Sequence, residues 1–371
     1  MKIKTLLFIC YVLFIQLSGA QEGEDVSQTD SLDVFFKYVQ NLNDAIETND
    51  QDFIIDNFDT NTIDKILSQS PDSTNSLYKR AITVGLKSFT HKLYTSISTG
   101  SYYDFINYSD GDTEDSYYAL FRLFSEDTGI NYHQYKISKQ DSTYVINDVF
   151  ILLSGEYLSA TLGNTFRNSF VKNSDNDKNL YNKFIVLKNM GMDSKAYEVA
   201  KKIKDTTYLS KSFLILKAKA AATVSDDDYK QCLKDVLERF PSDPNLALLS
   251  LDYYYMDKDF NNLFRAIDQL ENYTDDDFLR YLKGNYAYEI EEFHLAQESF
   301  EYIVDNYPTF LSAELMLIQT YDKLKNNKGV VTLLDDLISD GYSKDDLIDY
   351  VKTDITDFYK SKDFKSWKRK H

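Results

Sequence analysis

Four histidines, His91, His133, His294 and His371, and two cysteines, Cys10 and Cys232, are the side chains of this 371-residue chain best suited to metal or nucleophilic chemistry. Their spacing assembles neither. No HExxH or CxxC pattern occurs, so zinc is not expected. GxSxG, the P-loop and GxGxxG are absent as well, which removes the commonest hydrolase and nucleotide signatures. Carboxylates are abundant, and Asp226-Asp227-Asp228, Asp275-Asp276-Asp277 and Asp345-Asp346 each precede a helical run. A calcium loop needs alternating oxygens, a turn glycine and a distal glutamate, and none of these clusters has all three. Capping of helix N-termini and compensation of the helix dipole explain them more simply. His133, Asp148 and Tyr144 are the polar groups that a pocket in the N-terminal part would offer to acid–base work or to a small ligand. One His and one Asp on different expected strands do not specify a reaction, so no enzymatic activity, cofactor or metal is expected.

The elements that must position any site follow from composition. Hydrophobic residues make up 43% of the chain, enough for packed cores, and only 4 prolines and 12 glycines interrupt them. Long helices are therefore expected. Length favours two folded units. The first residues, MKIKTLLFICYVLFIQLSGAQ, read as a secretory signal over 1–20. Lys2 and Lys4 lead an apolar stretch from Leu6 to Leu17, and Ser18-Gly19-Ala20 is a small-residue cleavage site. The apolar run is too short for a comfortable membrane span. Cleavage would remove two lysines and shift the net charge from −18 to about −20. An exported chain, periplasmic or extracellular, is expected, with Cys232 as a buried small hydrophobe. So acidic a protein repels nucleic acid and anionic lipid and favours basic partners.

After a flexible stretch over 21–30, residues 31–170 are expected to form an α+β domain. Leu32, Phe35, Phe36, Val39, Leu42 and Ile46 recur at helical spacing, and further helices are expected over about 52–67 and 76–97. From Tyr102 to Leu153 the period changes. YYDFINY, YYALFRLF, INYHQYKI and YVINDVFILL read as strands, separated by Asp110-Gly111, Thr128-Gly129 and Gln140-Asp141. Short turns imply an antiparallel meander, its apolar face closed by the preceding helices. That topology resembles the cystatin-like and nuclear transport factor 2-like folds. A polar stretch, KNSDNDKN at 172–179, reads as a linker or a helix start.

Beyond it, one set of positions recurs with a period of about 34 residues: Ala196, Tyr229, Leu263, Ala296 and Val330. Four positions on come Ala200, Leu233, Ile267, Phe300 and Leu334, and three further Ile203, Val236, Leu270, Ile303 and Leu337. Recurrence of this kind over five units is the signature of a helical solenoid. Gly284, Ala296, Phe300 and Pro308 stand at the spacing of a helix–turn–helix repeat. Pro241 repeats the terminal signal, Phe260 and Phe293 supply a turn aromatic, and Tyr254 and Tyr321 match a first-helix tyrosine. On these residues the segment 177–343 resembles the tetratricopeptide repeat family, with about five hairpins. It departs from the family pattern in lacking the leading tryptophan, in Tyr229 and Leu263 replacing alanine, and in Ala287 replacing tyrosine. Residues 344–371 read as a capping helix with a basic tail.

The resemblance implies a concave groove lined by the first helix of each unit. Tyr181, Leu248, Asp252, Tyr255, Tyr281, Asn285, Tyr288, Gln319 and Asp322 are the positions expected to face it. Tyrosines mixed with amides and carboxylates suit an extended peptide or a partner's helix. Asp252 and Asp322 argue against capture of a C-terminal carboxylate in the manner of chaperone-binding relatives. The expected function is a non-enzymatic protein–protein scaffold with an unidentified protein partner. The alternatives are a small-ligand site or enzyme in the N-terminal domain, or a self-associating envelope protein.

Overall fold

A computed structural model describes residues 26–59, 61–62, 76–97, 101–126, 129–163, 176–241, 243 and 246–371. The expected signal segment over 1–20 lies outside the described residues. The chain divides into two compact units, residues 1–150 with 158–166 and residues 151–157 with 167–371.

In the first unit, helix α1 (Val26–Glu47) begins earlier than expected, within the stretch read as flexible. Helix α2 (Gln51–Asp56) is short; Asp50 caps it by accepting the Asp52 N–H. Phe58 then forms a parallel bridge to Ile146. Helix α3 spans Ser76–Ser96. Strands β1 (Tyr102–Asp110), β2 (Ser116–Ser125), β3 (Gly129–Gln140) and β4 (Thr143–Ile151) lie side by side in sequence order. Phe121 pairs with Phe105 on one side and His133 on the other, and a bulge lies between Phe105 and Asn107. Because side chains alternate across a pleated strand, Tyr117, Phe121 and His133 share one face. Phe35 of α1 packs on Tyr117 at 4.3 Å and on Tyr144 at 5.7 Å, and Phe89 of α3 packs on His133 at 5.9 Å. That aromatic contact is what closes helices on the sheet.

The second unit is a run of helices: α4 (Asn176–Asn189), α5 (Asp193–Ala200), α6 (Lys211–Ala221), α7 (Asp226–Arg239), α8 (Ala247–Asp257), α9 (Phe260–Thr274), α10 (Leu279–Glu289), α11 (Phe293–Asn306), α12 (Leu311–Lys323) and α13 (Asn327–Ser339). Each packs on its sequence neighbours. The second helices of the pairs start at Asp193, Asp226, Phe260, Phe293 and Asn327, a spacing that is even to within one position. Two positions ahead of four of these starts stands a left-handed residue: Gly191, Lys258, Glu291 and Lys325. The positive φ reverses the chain within a short turn. Ala196, Leu263, Ala296 and Val330 are fully buried, as are Leu233, Ile267, Phe300, Leu334, Val236, Ile303 and Leu337. Tyr229 is only half-buried. Its size explains the difference, since its hydroxyl extends past the core to Asp252.

Local sequence sets the helix ends. Ser225 accepts the Asp228 N–H at 3.1 Å, Asp259 the Asn262 N–H at 3.2 Å and Asn326 the Gly329 N–H at 3.1 Å, each satisfying a donor the helix cannot. Asp226–Asp228 and Asp345–Asp346 lie in first turns as expected. The third run differs: Asp275 ends α9 in a left-handed conformation, and buried Asp276 accepts the Phe278 N–H. Helices α7 and α11 stop two positions before Pro241 and Pro308, with Phe240 and Tyr307 in nearly identical non-helical conformations.

Tyrosines also stitch one pair of helices to the next. Tyr197 donates to Asp228 at 2.7 Å, Tyr229 to Asp252 at 2.5 Å, Tyr307 to Asp277 at 2.5 Å and Tyr321 to Glu301 at 2.8 Å. Hydrogen bonds to ionised carboxylates are among the stronger ones. They give part of the unusual tyrosine content a structural purpose.

The expected single C-terminal helix is three: α14 (Lys344–Asp354), α15 (Thr356–Tyr359) and α16 (Lys362–Lys370). The breaks occur because Asp322 takes the Phe358 N–H at 2.7 Å and Ser361 caps Phe364 at 3.0 Å. Its basic end is tied down: Trp367 Nε1, Lys370 Nζ and His371 Nε2 all reach Asp335, at 2.8, 2.7 and 2.8 Å.

Candidate interaction surface on the first helices

The three polar residues singled out in the N-terminal sheet do not converge. His133 is buried, with Nδ1 3.0 Å from the Tyr103 hydroxyl and Nε2 3.0 Å from the Asn131 amide. Burial pulls its imidazole down to about 4, because a charged ring has no water there. Tyr144 is a fully buried core ring beside Phe35, Tyr38 and Tyr117. Asp148 turns to the backbone and hydroxyl of Ser159. Each has its own structural partners.

Three of the nine expected groove residues are also committed to packing. Tyr181 is buried against Tyr208 at 5.8 Å and Phe213 at 5.6 Å. Tyr281 lies among Phe278, Phe300 and Phe310, filling the space between α10, α11 and α12. Asp322 is buried and holds the Phe358 N–H, so it serves the start of the C-terminal helices. Leu248 and Asn285 are half-buried on α8 and α10.

The remaining four lie on α8, α10 and α12. Along successive first helices, at intervals of 31 to 34 residues, stand Lys188, Lys219, Asp252, Tyr286, Gln319 and Tyr350, on α4, α6, α8, α10, α12 and α14. From Lys188 to Tyr286, and again from Gln319 to Tyr350, neighbours act on one another. Burial and then Lys188 pull the Lys219 amine down to about 8, against an opposing pull from Asp252. Burial raises the Asp252 carboxyl, opposed by the Tyr229 hydroxyl and by Lys219. Tyr286 is raised by burial, then by Asp252 and Tyr255. Gln319 adjoins the Tyr350 hydroxyl, which donates to the Leu315 carbonyl at 2.9 Å. Tyr255 stands three positions beyond Asp252, and Tyr288 two positions beyond Tyr286. The Tyr255 ring is 37% exposed and lies 5.4 Å from Tyr286; Tyr288 rests on Phe293 at 5.5 Å and faces Asp322.

Sequence periodicity read from the groove positions misses Lys188, Lys219, Tyr286 and Tyr350. The signal is nevertheless present: one repeat back from Asp252 stands Lys219, and one repeat forward stands Tyr286, to within a single position. It is obscured because the first helices start at less regular intervals than the second.

Among the described residues, no group of His, Cys, Asp or Glu side chains is placed to hold a metal ion, and no helix is long and apolar enough to cross a membrane. Comparison with protein-family models, curated proteins and solved structures gives no match.

Proposed function

We propose that this protein is an exported, non-enzymatic interaction protein whose helical region is a tetratricopeptide-like solenoid of about five hairpins, docking a protein segment along its first helices. The observation that carries this is the row itself. Six first helices carry lysines, a carboxylate, an amide and tyrosines at intervals of about one repeat, while second helices carry the fully buried apolar positions Leu233, Ile267, Phe300 and Leu334. A surface of polar groups interspersed with rings gives a peptide both hydrogen bonds and anchoring pockets. Supporting the repeat architecture are the even spacing of second-helix starts and the recurring left-handed turn residue. Export is supported by the signal-like segment over 1–20.

Site-specific photocrosslinking in the producing cell tests this. A benzophenone side chain at Tyr255, beside the row, should give a discrete protein adduct. The same group at Tyr273, which is 53% exposed on a second helix, should not. Equal adducts from both positions, or none from Tyr255, would refute docking on the first helices.

A further inference from the structure

A cleft of about 630 Å³ opens between the C-terminal end of α7, α8 and α9, within the roughly 300–1,000 Å³ usual for small-molecule sites. Its floor is apolar, formed by Leu237, Phe240, Leu246, Ala247, Ala266 and Leu270. Polar groups reach it from α9, where Arg265, Gln269 and Tyr273 follow one another at four-residue steps and so share a helix face. Tyr254 of α8 lines it as well. Among the described residues, the side chains of Arg265 and Gln269 and the Tyr254 hydroxyl have no ion-pair or hydrogen-bond partner. The acid in the lining, Asp243, is already paired with Lys211 at 2.8 Å. Ser250 and Asn262 are engaged with the Ala247 carbonyl and with Asp259. Later hairpins carry larger, mutually satisfied groups at the matching positions. Arg280, one repeat on from Ala247, stacks over Tyr302, one repeat on from Gln269, at 3.8 Å from the ring centre. Two repeats on from Tyr254 and Ala266 stand Tyr321, whose hydroxyl donates to Glu301 at 2.8 Å, and Leu333, packed on buried core residues. Lys234 stands two repeats back from Glu301 and pairs with Glu238 at 3.7 Å, so Tyr254 lacks that acceptor. Small side chains and unmatched donors thus coincide at one junction.

We propose that this cleft is a binding site for a small amphipathic carboxylate, with its apolar body on the floor and its acid group on the Arg265 guanidinium. The guanidinium is a permanent cation whose planar fork of donors matches a carboxylate. The Gln269 amide and the Tyr254 hydroxyl add donors beside it. Burial of the apolar body supplies most of the affinity, and the few polar groups fix its orientation. A small molecule rather than a protein segment is indicated because the Arg280–Tyr302 stack at the next junction gives an extended chain no comparable cleft to continue into. This site does not rest on the proposed docking function.

The test is nuclear magnetic resonance of the full chain with labelled alanine methyl groups, since Ala247 and Ala266 report from the floor. Naphthylacetate is the probe, and naphthylacetamide carries the same body without the charge. Naphthylacetate should move both resonances saturably and bind at least tenfold more tightly than the amide. Arg265→Met, at an exposed position, should abolish that preference by weakening the acid alone, whereas Arg265→Lys should keep a preference for the acid. Ala266→Leu, copying Leu333, should exclude both probes as read at Ala247. Circular dichroism establishes that each variant is folded. The proposal is overturned by the absence of saturable shifts at Ala247 and Ala266, by equal affinity for acid and amide, by an unchanged preference in folded Arg265→Met, or by full binding to folded Ala266→Leu. Equal shifts at Ala296, buried in another hairpin, would also overturn it by revealing an adventitious additive only. So would a discrete protein adduct from the benzophenone at Tyr273, which would make a protein segment the occupant. Loss of probe binding with a discrete adduct still forming at Tyr255 sinks the carboxylate site and leaves docking standing.

Discussion

Replacing Gly284 by alanine sets two effects against each other within one hairpin. A methyl group built on Gly284 would lie 2.6 Å from Cε1 of Phe300 and 2.9 Å from its Cδ1 and Cζ. Ordinary carbon contacts are about 3.5–4.0 Å, so the ring stands about 1 Å too close. Phe300 has little room to yield, being fully buried beside Ala287, Ala296 and Leu317, with Tyr281 6.0 Å away. Overpacking of this kind costs about 1–3 kcal/mol. Against it, alanine is favoured over glycine inside a helix by about 1 kcal/mol. The expected net result is destabilisation of up to about 2 kcal/mol, read from urea unfolding followed by circular dichroism. The double variant isolates the cause: with Phe300→Leu the obstruction goes, and adding Gly284→Ala should then stabilise by up to about 1 kcal/mol. If Gly284→Ala alone stabilises the otherwise native chain, the close approach of these helices does not govern this position.

Ala296→Leu should also lower stability by about 1–3 kcal/mol in thermal melting, since this side chain is fully buried between α10 and its neighbours. His133 should make the protein acid-sensitive. Its folded value of about 4 lies below the ordinary 6.5, so its contribution is present above pH 6.5 and is lost as pH falls towards 4, to a limit of about 3 kcal/mol. His133→Gln should therefore flatten the dependence of melting temperature on pH across that window, even if it lowers stability at neutral pH. Asp335→Ala removes the acceptor shared by Trp367, Lys370 and His371. Buried Trp367 is the chain's only tryptophan, so its emission should shift to longer wavelength as α16 loosens, with a loss of about 1–2 kcal/mol; unchanged emission would mean that packing alone holds the helix.

The sequence by itself determined what each hairpin must do to bury its own core. Ala296, Phe300 and Ile303 lie on one helical face whatever surrounds them, so their recurrence from one hairpin to the next was legible without coordinates. The four long strands were legible for the same reason, because alternation and turn residues act locally. Tertiary structure decided which polar residues were left available. Tyr181 and Tyr281 occupy first-helix positions resembling that of Tyr255, but rings from adjacent helices cover them. Asp322 was consumed by the Phe358 N–H, 36 residues away in sequence. His133, Asp148 and Tyr144 likewise took separate partners. Availability of a side chain depends on what packs over it from elsewhere in the chain, and no local period encodes that. Lys219 shows the converse: the amine of an ordinary lysine in sequence is pulled down by burial and then by Lys188, against an opposing pull from Asp252, and no local pattern encodes either.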